Sequence, residues 1–529
     1  MNKILTTTML TMALAACSPS TSVETDGISR TTEFADSSRQ FTPEVMWQMG
    51  RIGGYHLSAD AQKAVYGVTY YSVEKNKSRA VIYASTPTTD AAPVMLTADG
   101  SAEYAPSFIP GTDKVAYLAA DADGAMQLWM MNADGSARKQ ISFEATDVND
   151  YLFSPCGKKV ILVKTITHEK SVQQNDADLQ LTTGIVANDL IYKHWDHYTK
   201  SAPHPFLAEF DGEKVGESKD LLEGEPYECP MLPFGGVEQL AWSPDSKQIA
   251  YTCRKLAGLD YAISTDSDIY LYDIETGNVK NLCKPEGYVR PVCDPTRSLK
   301  NQAVNQFTED VNAGYDQNPQ FSPDGNYIAW LSMKRDGYES DKNRLCIMNL
   351  TTSEQKYITD SPNGEKSVIF DSNVDSYCWS NDSRSIYFTG VWHGASMVYN
   401  ITLDGKLTQL TDGNYDYTSV ATAGENLIMT RQSIFEATEI YSMKAEAGAQ
   451  IVQLTNENKH IYDQIERGKV EPRWCKTKDG KQLLSWVIYP PHFDPAKKYP
   501  TLLFCQGGPQ SPVSQFWSYR WNFQIMAAN

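Results

Sequence analysis

One turn-and-strand unit recurs along this chain. Its clearest copy runs Pro319-Gln-Phe-Ser-Pro-Asp-Gly-Asn-Tyr-Ile-Ala-Trp-Leu331. Pro323 pre-sets its own φ, and Gly325 can take the positive φ that closes a tight turn. Tyr327, Ile328, Ala329 and Trp330 then make a β-rich apolar run. A single hairpin of this kind cannot bury both of its faces. The repetition therefore constrains the fold more than any single motif does.

Related units start at Leu57, Phe108, Phe153, Trp242, Trp379 and Ala421, which makes seven with the first. A second hairpin follows most of them, with strands such as Gln127–Met131, Asp268–Tyr272, Arg344–Met348 and Glu439–Met443. It ends on a short apolar–polar pair: Leu96-Thr97, Ile141-Ser142, Leu282-Cys283, Ile358-Thr359, Leu410-Thr411 or Leu454-Thr455. Four strands thus recur roughly every 45 to 50 residues where nothing is inserted, the period of a β-propeller blade. Seven in-phase copies set the chain apart from an ordinary β-sandwich. The predicted fold is mainly β: a seven-bladed β-propeller over 41–465, with a different kind of segment over 466–529. At 529 residues, more than one domain is expected.

The first residues read as an address. Lys3 precedes the short apolar run Ile4–Leu14, too short to span a membrane in the mature protein. Leu14-Ala15-Ala16-Cys17 resembles a bacterial lipobox, which implies lipidation at Cys17 and a signal peptide over 1–17. The other reading is a plain secretory signal cleaved near Ala16. Either one exports the protein to the bacterial cell envelope, as a periplasmic or outer-membrane lipoprotein in the first case. Residues 18–40 are rich in Ser, Thr and Asp and read as a flexible tether. The formal charge of −18 argues against nucleic acid, and against anionic lipid as an electrostatic partner. A membrane would then be reached only through the lipid on Cys17.

Thr42, Pro43 and Glu44 have the residue types of a helix start. His194 and His197 lie three apart with Asp196 between them, but nothing nearby completes a ligand set at metal spacing, so no metal and no cofactor is expected. The ten cysteines have no close-spaced pairs and do not form a disulfide framework. Cys253, Cys346, Cys378 and Cys505 are expected as small buried strand residues, and Cys283 could pair with Cys293 across a loop.

After Thr455 the pattern changes. Val470–Cys475 and Leu483–Tyr489 read as a hairpin turning at Lys478-Asp479-Gly480-Lys481. Tyr499–Cys505 reads as a doubly buried strand running into Gln506-Gly507-Gly508-Pro509, and 516–528 as a helix. A propeller followed by this segment resembles the prolyl oligopeptidase family of serine peptidases. The stretch Gln506–Trp517 is most like the family's dipeptidyl peptidase branch. The resemblance implies that 466–529 starts an α/β-hydrolase domain. It also implies that the Gly-Gly-Pro loop helps build an oxyanion hole, with the backbone N–H of Gly508 as candidate donor beside Gln506 and Gly507. Many family members carry His where this chain has Gln506, which leaves the side chain's role open. Short peptides would be the substrates. The acidic pair Glu309-Asp310, in a long loop, could hold a peptide's α-amino group.

Such hydrolases need a nucleophilic Ser in Gly-x-Ser-x-Gly, followed by Asp and His. The chain has no such motif; Gly394-Ala-Ser-Met-Val398 lacks the last Gly. The expectation is therefore the N-terminal, propeller-bearing part of an exported peptidase, with its α/β-hydrolase domain truncated and no activity of its own. The other reading is a non-enzymatic envelope scaffold, which leaves 470–529 without a reason. Cleavage preference and oligomeric state are not encoded in these motifs.

Overall fold

The computed structural model describes residues 27–31, 39–86, 92–97, 102–194, 197–198, 200–290, 296, 312–337, 339, 341–360, 373–505 and 512–529. The chain is mainly β. Its strands form four-stranded antiparallel meanders, each made from contiguous sequence. The first is built from Arg51–Leu57, Ala64–Ser72, Lys77–Ser85 and Val94–Met95; the second from Tyr104–Phe108, Lys114–Ala120, Met126–Asn132 and Lys139–Gln140. The third pairs Val148–Phe153, Lys159–Thr167, Ser201–Glu209 and Lys219–Asp220, the fourth Leu240–Trp242, Gln248–Cys253, Asp268–Asp273 and Val279–Asn281. Asp316–Phe321, Tyr327–Ser332, Arg344–Asn349 and Gln355–Tyr357 form the fifth. The next eight strands run from Val374–Trp379 to Val452–Gln453 as two further meanders, joined into one sheet by a single parallel pairing of Ser396 with Asp416.

The recurring turns explain the first hairpin of each meander. At the lead copy, Gly325 has φ 72°, the Ser322 hydroxyl donates to Asp324 Oδ1 at 2.6 Å, and Asn326 N donates to the same oxygen at 3.0 Å. The same Ser-x-Asp contact closes the turns at Ser58/Asp60, Ser243/Asp245 and Ser380/Asp382. Neighbouring turns also touch: Cys156 N donates to Ser246 Oγ at 3.0 Å, and Asp324 N to Ser383 Oγ at 3.1 Å.

Between meanders lie the apolar cores. Val65 and Ile82 meet Phe108 and Val115 between the first and second. Leu128 and Met130 meet Val160 and Leu162 between the second and third, and Ile161 meets Trp242 and Ile249 between the third and fourth. Ile269 meets Trp330, Leu345 meets Phe388, and Val398 meets Met429 across the next three. Finally Tyr66, Val68 and Val81 of the first meander meet Ile428 and Ile440 of the last, so the series closes on itself.

The helix Pro43–Trp47 has Thr42 as its N-cap, as its sequence indicates. Val470–Lys476 and Gln482–Ile488 form the expected hairpin. Four expectations fail. Residues 499–505 form no strand: Leu502 is 77% and Leu503 86% exposed, because no described strand lies alongside to take their backbone hydrogen bonds. The last helix spans only Phe523–Ala528, capped by the Asn522 side chain. Cys505 is exposed rather than buried and Cys378 only half-buried, whereas Cys253 and Cys346 are buried as expected. Where the tether was expected, Ile28 is buried and Arg30 pairs with Glu457. Cys17 and Cys293 lie outside the described residues.

Candidate functional site

Strand direction alternates within a meander, so the second-to-third connection and the exit of the fourth strand leave from the same end. The long connections 168–200, 221–239, 254–267, 282–315 and 333–343 are all of these two kinds. The chain beyond Gln453 exits there as well, and Leu484 and Trp486 lie against Gly394, in a second-to-third turn at that end. Loops raised on a rigid scaffold are where binding and chemistry concentrate.

Three of these connections are pinned by one buried group of side chains. His194 Nε2 lies 2.8 Å from Glu228 Oε2, and the Tyr261 hydroxyl donates to the same oxygen at 3.0 Å. The guanidinium of Arg254 sits 3.9 Å from the centre of the Tyr261 ring and donates to Ser264 O. His194 is thus paired to a buried carboxylate. The side chain of His197 is not among those described.

A second group lies beside it. Lys284 Nζ donates to Asp266 Oδ1 at 2.9 Å, to Asp268 Oδ1 at 2.7 Å and to Asn312 O at 2.6 Å. Arg290 bridges Asp260, Asp266 and Asp336. Arg344 donates to Asn312 Oδ1 at 2.7 Å, and Asn312 donates to Asp316 Oδ2 at 3.2 Å. Burial pushes Asp316 up to about 6 against the pull of Lys284, and pushes Asp266 up as well. Burial works against the Lys284 charge, but Asp268 and Asp266 overcome it and hold the ammonium protonated. A cavity of about 620 Å³ opens here, lined by Lys255, Asp266, Tyr270, Lys284, Tyr288 and Arg290.

Among the described residues, Asp268, Cys283 and Asp316 are the only group close enough to share a metal ion. Their ligand atoms are already taken. Lys284 and Asn281 donate to Asp268, Trp330 and Asn312 to Asp316, and Ile269 N to Cys283 Sγ. Lys284 supplies the cation in this cluster.

Gln506, Gly507 and Gly508 lie outside the described residues, as do Glu309 and Asp310. Their neighbours are fixed. Beyond the glycines, Val513 O accepts from Trp486 Nε1 at 3.2 Å, and Ser514 and Gln515 bind Asp416. Beyond the acidic pair, Asn312 sits in the Lys284 group. Sequence reading missed Glu228, Tyr261, Lys284 and Arg290. They come from three different connections, and no local pattern announces that they meet.

The chain is 37% identical over 493 residues to a protein named dipeptidyl-peptidase 5 from Porphyromonas gingivalis, covering 93% of this chain and 67% of the relative. A protein of the same name from Porphyromonas endodontalis is 38% identical over 509 residues, with 94% and 67% covered. Among solved structures, the acylaminoacyl peptidase of Pyrococcus horikoshii superposes with a TM-score of 0.66 at 17% identity, over 92% of this chain and 65% of that one. No family model matches the chain. The chain therefore spans about two thirds of the length of the relatives it matches.

Proposed function

The chain belongs to the dipeptidyl-peptidase 5 family, and from that premise we propose that it is the propeller-bearing part of an exported serine peptidase that releases dipeptides or short pieces from small peptides. The meanders are seven blades of one propeller, a reading supported by the apolar core shared between the last and the first. Residues 466–529 begin the α/β-hydrolase part. The backbone N–H of Gly508, beside Gln506 and Gly507, stabilises the oxyanion formed when a serine attacks the peptide carbonyl. Glu309 and Asp310, in the connection that also bears Lys284, hold the substrate's α-amino group by charge-assisted hydrogen bonds. The propeller narrows access so that short peptides enter and folded proteins do not. Cys17 carries the lipid that keeps the protein at the envelope membrane.

The chain has no Gly-x-Ser-x-Gly turn, so residues 1–529 alone do not hydrolyse peptides. The observation that carries the proposal is the 37% identity spread over 93% of the chain. The test joins this chain to the hydrolase third of the Porphyromonas gingivalis relative and assays free and N-blocked dipeptidyl coumarylamides. Activity on the free-amine substrate only, absent from the 529-residue chain and lost in Gly508→Pro, is expected. A folded fusion whose serine is labelled by a fluorophosphonate but which releases no dipeptide would overturn the reading.

A further inference from the structure

The chain enters the body across the joint where the last meander meets the first. Ile28 is 3% exposed and packs in the core shared by Tyr66, Val68 and Val81 on one side and Ile428 and Ile440 on the other. Its carbonyl accepts from Arg79 Nη1 at 3.4 Å, and Arg79 is itself anchored to Thr97 O. Two residues on, Arg30 reaches the far side of the joint. Its Nε donates to Glu457 Oε1 at 3.0 Å and its Nη2 to Glu457 O at 2.8 Å; Nη2 also lies 3.3 Å from His460 Nδ1. The Tyr70 hydroxyl donates to the same Glu457 oxygen at 2.9 Å and pairs with the Tyr83 hydroxyl at 2.8 Å.

Beside this segment, Glu466 N donates to Arg39 O at 2.8 Å, and Phe41 and Met49 share a core with Ile461 and Ile465. Among the described residues, no backbone-to-backbone hydrogen bond joins the strands of the first meander to those of the last. The joint is held by side chains: Asn458 bonds Gly50 N and O, and the Tyr55 hydroxyl donates to Ile428 O. A segment that touches both sides through one buried apolar side chain and one guanidinium is placed to act as a fastening.

We propose that residues 27–31 are an acid-released clasp: with Glu457 charged and His460 neutral, Arg30 keeps Ile28 in the joint, and protonation of either partner frees the segment and loosens the first meander from the last. Arg30 acts in the same direction on both partners. Burial acts first on both partners, raising Glu457 and lowering His460, and Arg30 then lowers both. By linkage, a cation that hinders protonation of two groups is driven off when those groups take up protons. Protonated Glu457 no longer attracts the guanidinium, and protonated His460 places a second cation 3.3 Å from it. The other groups facing this site are Tyr66, Tyr70, Tyr83 and Arg79 from the first meander, with Glu439 and Asp463 from the last part of the chain; burial pushes the Glu439 carboxyl up to about 8, and Asp463 acts on His460 through its charge. The clasp stands independently of the peptidase reading.

The test is hydrogen exchange on the whole chain at about pH 7.5 and about pH 5, with rates corrected for intrinsic chemistry. In the wild type, acid should lower protection about tenfold in peptides covering 79–83 and 454–460, while the strand Lys159–Thr167 keeps its protection. Arg30→Gln should show the lowered protection at both pH values, and Glu457→Gln should remove the difference between them. Equal loss in Lys159–Thr167, or no loss at the joint in acid, would overturn the clasp. The wild-type comparison decides this even if a variant fails to fold.

Discussion

The Ser514 hydroxyl donates a 2.7 Å hydrogen bond to the Asp416 carboxylate, joining positions 98 residues apart. The other Asp416 oxygen accepts from Ser396 N at 3.0 Å and Gln515 N at 3.2 Å. Asp416 is 4% exposed, so one buried carboxylate ties the last two meanders to the segment just beyond the Gly-Gly-Pro loop. Ser514 and Gln515 are thereby registered against the β-sheet body.

Replacing Asp416 by Ala should orphan two buried N–H groups and a hydroxyl. A loss of about 2–4 kcal/mol is expected from the denaturant midpoint, together with faster proteolysis within 512–529. An unchanged midpoint with an unchanged cleavage pattern would show that the contact contributes nothing.

Asp316 gives a pH test with a defined sign. Burial raises its carboxyl to about 6 in the folded protein, against an ordinary value of 3.8. Its contribution to stability is therefore full below pH 3.8 and lost as the pH rises through 6. Asp316→Asn removes that titration while keeping an acceptor for Trp330. Between about pH 4 and pH 7.5, stability should move in the variant's favour by roughly 2–3 kcal/mol relative to wild type. A gap that stays constant over that range would refute the assignment.

Two turn glycines should respond differently to alanine. Gly157 has φ +67°, and a Cβ there would lie 2.2 Å from the Pro110 carbonyl oxygen. Gly111 has φ +77° but faces open space. Gly111→Ala should cost only the left-handed strain of about 1 kcal/mol, and Gly157→Ala roughly 3 kcal/mol or more, because backbone must move. Similar thermal midpoints for the two variants would contradict this.

Glu228→Ala should act locally. It strips His194 and Tyr261 of their shared acceptor, so insertion 168–200 should become about tenfold more sensitive to protease while the main unfolding midpoint moves little. Cleavage at the wild-type rate would mean that other contacts hold the insertion.

Short-range chemistry made the hairpins legible. Ser322, Asp324 and Gly325 close their turn by contacts within four residues, and Thr42 caps its helix three residues on. What depends on distant partners was not legible. The apolar run 499–505 has strand composition, yet composition cannot supply the neighbouring strand that a strand needs. The Ser-rich start of the chain reads as tether, but Ile28 and Arg30 find partners some 400 residues away. His194 was recognised as a residue without a ligand set, while its carboxylate, Glu228, arrives from another connection.

Phe41, beside the first helix, stacks on Trp517 with ring centres 6.0 Å apart, and both belong to a core with Met49, Ile461 and Ile465. A boundary at 465/466 is therefore not a seam in the folded body. It also sets a schedule for synthesis. Phe41 leaves the ribosome roughly 470 residues before its partner, a wait of about half a minute to a minute and a half at usual elongation rates. During that interval Phe41 lacks the Trp517 ring on which it stacks in the folded protein.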